Sequence, residues 1–195
     1  MYQQTSGYLE LFIGPMFSGK TSKLIELYKQ YKFCNIPVLV INHSIDNRYT
    51  DSTNTNKTNN MVELSSHDKI TIPCLQTEKL LDIEVNFETN IILINEGQFF
   101  ADLYQFTVLM LEQNKTIYIS GLDGDFKRHR FGEILDLIPL CDKVTKMQSL
   151  CSLCKNGCPG IFSLRLTKEQ QQTLIGVDNY IPVCRNCYNM KTTIP

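Results

Sequence analysis

One strand–turn–helix unit near the start of the chain constrains its fold most. The stretch "GPMFSGKT", Gly14 to Thr21, fits the spacing G-x-x-x-x-G-K-[ST] at every fixed position. Before it, "YLELFI" (8–13) alternates in polarity and reads as a strand. After it, "TSKLIELYKQYKF" (21–33) sets Leu24, Leu27, Tyr28 and Tyr31 at i, i+3, i+4 and i+7, the period of an amphipathic helix. A loop of Gly14, Pro15, Met16, Phe17, Ser18 and Gly19 in that setting curls backbone N–H groups around a phosphate. The helix then aims its positive end at the anion. Lys20 reaches the outer phosphate oxygens, and Thr21 offers a hydroxyl to Mg²⁺.

The remaining pattern predicts an α/β fold. "VLVI" (38–41), "MVELSS" (61–66), "KITIPCLQ" (69–76), "NIILIN" (90–95), "KTIYISGL" (115–122) and "KVTKMQSL" (143–150) read as strands. "TEKLLDIE" (77–84), "ADLYQFTVLMLEQN" (101–114) and "GEILDLIPLCD" (132–142) read as helices. Alternating strands and helices predict a parallel sheet covered on both faces. Residues 47–60 are rich in Asn and Thr and read as a loop. With 195 residues the chain has room for a nucleotide-binding core over 1–150 and a small module over 151–195. A net charge of −1 gives no electrostatic sign of nucleic-acid or membrane binding. No apolar run approaches a membrane span, so the cytoplasm is the expected compartment.

Two further motifs carry chemistry. "IILINEGQFF" (91–100) is a buried strand ending in Asn95 and Glu96. In phosphate-loop enzymes such a strand ends beside the loop with an acid serving Mg²⁺. Here Asn95 stands at that position; it can accept a hydrogen bond but brings no charge. Glu96 would face a second substrate as a general base, the alternative being a solvated strand-end carboxylate. The second motif is a pair of cysteine knuckles, Cys151-x₂-Cys154 and Cys184-x₂-Cys187. In a reducing compartment this spacing favours a closed, structural Zn²⁺ site over disulfides. Cys158 has no partner at knuckle spacing. Phe126 and Phe131 read equally as pocket or core residues, Phe100 as core, and His43 and His67 as structural.

Taken together, "GPMFSGKT", "NEGQFF", "LDGDFKRHRFG" and the two cysteine pairs resemble thymidine kinases of the cytosolic, zinc-containing type, in the same order from about Leu9 to Tyr188. The resemblance implies a RecA-like P-loop core followed by a zinc ribbon with a lasso loop. It implies transfer of the ATP γ-phosphate to the 5′-hydroxyl of thymidine or deoxyuridine, with Mg²⁺, in a homotetramer inhibited by dTTP. By the same resemblance Asp46, Asn47 and Arg48 lie near the phosphate donor, Glu96 is the base, and Gln98 stands beside it with the nucleotide-binding residues. Phe99, Leu122, Phe126, Phe131 and Tyr180 line the thymidine pocket. Gln171, Gln172, Thr173, Leu174 and Ile175 form the lasso. The family pattern reads Asp-Glu-Gly-Gln where this chain reads Asn-Glu-Gly-Gln. Two other readings start from the same residues: an inactive or regulatory nucleotide-binding homologue, motivated by Asn95, and a P-loop ATPase whose zinc ribbon binds nucleic acid.

Overall fold

A computed structural model describes residues 6–45, 61–65, 69–174 and 176–192. Seven strands form one sheet: β1 (Tyr8–Ile13), β2 (Val38–His43), β3 (Met61–Ser65), β4 (Thr71–Thr77), β5 (Ile91–Ile94), β6 (Thr116–Gly121) and β7 (Lys143–Lys146). Their spatial order is β3-β4-β2-β5-β6-β1-β7. All neighbours are parallel except β3 and β4, which pair antiparallel at one edge. The expected parallel sheet is therefore mainly, not wholly, parallel.

Alternation along the strands gives the sheet two apolar faces. Leu9, Leu11, Ile13, Ile92, Ile94, Ile117 and Ile119 face one side. Phe12, Val40, Ile91, Leu93 and Tyr118 face the other. Helix α1 (Lys20–Phe33) covers the second face through Leu24 and Ile25. Helix α2 (Leu103–Glu112) covers the first through Leu103, Phe106 and Met110. All four residues of β5 are buried. Burial of each such side chain is worth about 1.5–3 kcal/mol, so this strand is fixed between both layers.

Three expected elements differ. The helix expected over 77–84 is one 3₁₀ turn, Leu80–Asp82. Eight residues are too few to sustain a helix without packing along their length, and only Leu80 of this turn is buried. The helix expected over 132–142 is a 3₁₀ segment, Ile134–Leu140, with Pro139 inside it. Proline lacks the N–H that a continuing α-helix needs there. The strand expected over 143–150 divides into β7 and β8 (Ser149–Leu150).

Strand β8 pairs with β9 (Pro159–Gly160), away from the main sheet. Beyond it β10 (Phe162–Arg165) pairs antiparallel with β11 (Tyr180–Val183), and helix α3 (Arg185–Thr192) follows. Cys151, Leu164, Val183, Cys187 and Tyr188 form a small core of their own.

Candidate functional site

Strand β1 delivers the chain into the glycine loop at the end of the sheet. Gly14 and Gly19 both have positive φ, +152° and +82°, and a Cβ on Gly14 would lie 2.3 Å from the carbonyl of Met147. Only glycine fits that approach. Lys20 opens α1 and is buried. Its Nζ donates to the Pro15 carbonyl at 2.6 Å, and Ser18 Oγ donates to the same carbonyl at 2.8 Å. The helix N-terminus thus sits directly behind a loop that already holds a lysine ammonium.

The end of β5 supplies the next groups, and its two side chains diverge. Asn95 is buried among polar partners. Its Oδ1 accepts from Ser120 Oγ at 2.9 Å and Thr21 Oγ1 at 3.2 Å, while its Nδ2 donates to Asn42 Oδ1 at 2.9 Å. The donation to Asn42 fixes which way the Asn95 amide faces. Glu96 adopts left-handed backbone, φ 54° and ψ 43°, and turns its carboxylate the other way. A non-glycine residue in that region carries strain of about 1–3 kcal/mol, a cost found often at functional sites. Gln98 Nε2 donates to Glu96 Oε2 at 2.6 Å, and Gln98 Oε1 accepts from the Leu122 N–H at 2.9 Å.

Aromatic residues gather beyond Glu96. Phe99 and Phe131 meet edge to face at 5.5 Å between centroids. The turn after Phe131 needs glycine: Gly132 has φ +60°, and a Cβ there would lie 2.1 Å from the Gln98 carbonyl. His43 packs against Phe99 and Phe100, and its Nδ1 accepts from the Ile45 N–H at 3.0 Å. Asp125 shapes the turn that carries Phe126, accepting at Oδ1 from the N–H groups of Lys127 (2.8 Å) and His129 (2.9 Å).

These segments surround one cavity of about 980 Å³, its open mouth included. Met16, Phe17, Ser18, Gly19, Lys20 and Thr21 line one end. Glu96 and Phe99 line it from the turn after β5, and Leu122, Asp125, Phe126 and Phe131 from the chain after β6. Ser163, Gln172, Thr173, Leu174, Gly176 and Tyr180 complete the wall. Ser163 also ties the ends together, since its Oγ accepts from the Met16 N–H at 3.0 Å.

Several residues named from the sequence sit elsewhere. Gly14, Pro15, Asn95, Gln98 and Gln171 do not line the cavity. Gln98, expected with the nucleotide-binding residues, donates one amide hydrogen to Glu96 and accepts from the Leu122 N–H. Asp46, Asn47, Arg48, Ile175 and His67 lie outside the described residues. Sequence reasoning missed Asn42, Ser120, Asp125, Ser163, Arg165 and Tyr188. Asp125 lies within the motif "LDGDFKRHRFG", where an aspartate beside a glycine is a turn signal. The others leave no local mark, because distant segments supply their partners.

The sulfur atoms of Cys151, Cys154, Cys184 and Cys187 all lie within 4.8 Å of one another. Four thiolates on one Zn²⁺, at about 2.3 Å each in a tetrahedron, stand about 3.8 Å apart. The set is therefore placed to hold a metal ion with slight closure. Burial opposes ionisation of Cys151, yet backbone hydrogen bonds from Cys154, Cys184 and Leu153 bring its thiol down to about 6. Burial and the neighbouring thiols push Cys187 up to about 12.

The thymidine kinase family profile matches residues 7–188. Thymidine kinase 1 of Dictyostelium discoideum is 39% identical over 190 residues, covering 95% of this chain and 79% of that protein. The thymidine kinase of sheeppox virus (strain KS-1) is 40% identical over 186 residues, 93% of this chain and 97% of the viral protein. That of Yaba monkey tumor virus (strain VR587) is 37% identical over 185 residues, 94% and 95% of the two chains.

Proposed function

This chain belongs to the thymidine kinase family, and we propose that it transfers the γ-phosphoryl group of ATP to the 5′-hydroxyl of thymidine or deoxyuridine, giving dTMP or dUMP. One observation carries this reading: the glycine loop, Glu96 and a set of aromatic side chains all line one cavity. In-line phosphoryl transfer needs a donor site, a base and an acceptor site within one enclosure.

On this reading residues 14–21 form the phosphate cradle of a RecA-like P-loop core. Lys20 leaves the Pro15 carbonyl to meet phosphate oxygens that gain charge during transfer. Thr21 Oγ1 and Asn95 Oδ1, 3.2 Å apart, are hard oxygen donors of the kind Mg²⁺ takes. Thr21 would bind the ion directly and Asn95 through a metal-bound water; the ion, when present, neutralises phosphate charge. Glu96 takes the proton from the 5′-hydroxyl, and Gln98 holds the carboxylate in position for it. A flat pyrimidine fits between Phe99, Phe126, Phe131 and Tyr180, with Leu122 against it and residues 171–175 clasping it as the lasso. The cysteine set holds a structural Zn²⁺, and residues 1–150 and 151–195 work as core and ribbon. A cytoplasmic homotetramer inhibited by dTTP belongs to the same reading. Among the described residues no helix is long and apolar enough to cross a membrane.

Transfer of labelled γ-phosphate from ATP to thymidine, deoxycytidine and deoxyguanosine in parallel tests the reading. Label on thymidine alone is expected. Nucleotide binding without transfer to any of the three would support a regulatory homologue instead. ATP hydrolysis stimulated by DNA and indifferent to thymidine would support the ATPase reading.

A further inference from the structure

Arg165 is nearly fully buried, yet among the described residues no carboxylate lies within ion-pair distance of it, and the exposed Glu169 carboxylate feels its charge without pairing closely. A guanidinium has five N–H donors in a planar fork, and here all five are used. Nε and one Nη2 hydrogen go to the Tyr180 hydroxyl. Nη1 donates to the carbonyls of Glu169, at 2.8 Å, and Gln171. Nη2 also donates to the Gln172 carbonyl at 3.0 Å. The guanidinium carbon lies 3.7 Å from the centroid of the Phe126 ring. One side chain therefore touches three parts of the cavity wall: Phe126, Tyr180 and the backbone leading into residues 172–174.

A second set of bonds closes a ring through the same parts. Gln172 Nε2 donates to Asp125 Oδ2 at 3.0 Å, and Asp125 is the residue whose Oδ1 shapes the turn carrying Phe126. The circuit runs from Arg165 to Gln172, to Asp125, to Phe126 and back to Arg165. A buried cation whose hydrogen bonds all go to neutral acceptors keeps its low energy only while those acceptors stay in place. Lysine could not substitute, having three donors and no flat face to lay on a ring.

We propose that Arg165 is the positioning residue that latches residues 169–174 over the nucleoside end of the cavity and seats Phe126 in the same step. This rests on the reading of that end as the nucleoside site. Arg165 then sets nucleoside affinity and leaves the phosphate end untouched, since none of its bonds reaches residues 14–21.

The test compares Arg165→Lys with the native protein. We expect the KM for thymidine to rise on the order of 10- to 100-fold, the scale of a misplaced binding wall, with the KM for ATP and the zinc content unchanged. Amide hydrogen exchange over residues 167–174 should accelerate in parallel. A zinc-replete variant with native thymidine KM and native exchange would overturn the proposal. A measurement on the native protein covers the case in which the variant does not fold: ¹⁵N NMR of the Arg165 guanidinium. Separate, slowly exchanging Nη signals are expected, and a freely rotating, averaged guanidinium would overturn the latch. Native protein that phosphorylates no thymidine would defeat the functional reading, while the exchange and NMR results would still decide the latch.

Discussion

The two ends of the cavity are built by opposite means. The glycine-loop end is local: β1, eight consecutive residues and the first turn of α1 supply most of it. Its shape comes from backbone, with Gly14 where a side chain would clash and Gly19 at a positive φ. The aromatic end comes from the chain after β5, after β6, and from the segment between β10 and the first residue of β11. Side-chain bonds between distant segments hold it, including Tyr188 Oη donating to the Phe126 carbonyl at 2.6 Å. A site made of local backbone resists single substitutions outside it. A site assembled by distant side chains can be loosened from far away. The cysteine-rich segment matters to the second kind, because Arg165, Tyr180 and Tyr188 all belong to it.

The largest expected effect strikes that difference directly. A structural zinc contributes on the order of 10 kcal/mol to folding of such modules. Cys154→Ser should unfold the segment and abolish thymidine binding while ATP still binds; calorimetric titration of each ligand reads both. Equal loss of the two would show the ends to be one unit.

Next in size is Glu96→Gln, which should lower kcat by roughly 10²–10⁴ and leave the KM for both substrates near native. Turnover above half of native under chemistry-limited conditions removes Glu96 as base. Lys20→Ala should cost on the order of 10²–10³ in kcat and raise the KM for ATP but not for thymidine. Steady-state kinetics with each substrate varied in turn makes the check, and a matching rise in both KM values would blur the two ends.

Asn95→Asp sharpens the phosphate side. A charge about 5 Å from Mg²⁺ is worth at most ~3 kcal/mol at an effective dielectric of ~20. The substitution should lower the Mg²⁺ needed for half-maximal rate by less than that, water intervening. Without Mg²⁺ the buried carboxylate should lower the thermal midpoint, and an unchanged Mg²⁺ titration would take position 95 out of the metal's surroundings. The smallest effect is Tyr188→Phe, which deletes one bond to the Phe126 carbonyl. A rise of about two- to tenfold in the thymidine KM is expected, with ATP kinetics unmoved.

The same contrast explains what could be read from the sequence. Gly14–Thr21 and the cysteine knuckles are contiguous patterns whose spacing is itself the geometry, so both were legible. Strand β1 was legible from its alternation, and β5 and β6 from their apolar runs. The helix expected over 132–142 failed because Pro139 forbids what the apolar spacing suggests. Gln98 was placed by resemblance beside Glu96, and its bond to the backbone of Leu122, 24 residues on, left no mark in the sequence. No local pattern in the sequence marks Arg165. Its meaning comes from three carbonyls, a hydroxyl and a ring that only the fold brings together.

The central claim is that one cavity takes phosphate donor and nucleoside at once, with Glu96 between them. Its most direct test is equilibrium binding of thymidine to the native protein saturated with a non-hydrolysable ATP analogue. One thymidine per chain, bound together with one analogue, is the predicted result. Displacement of the analogue by thymidine would contradict it.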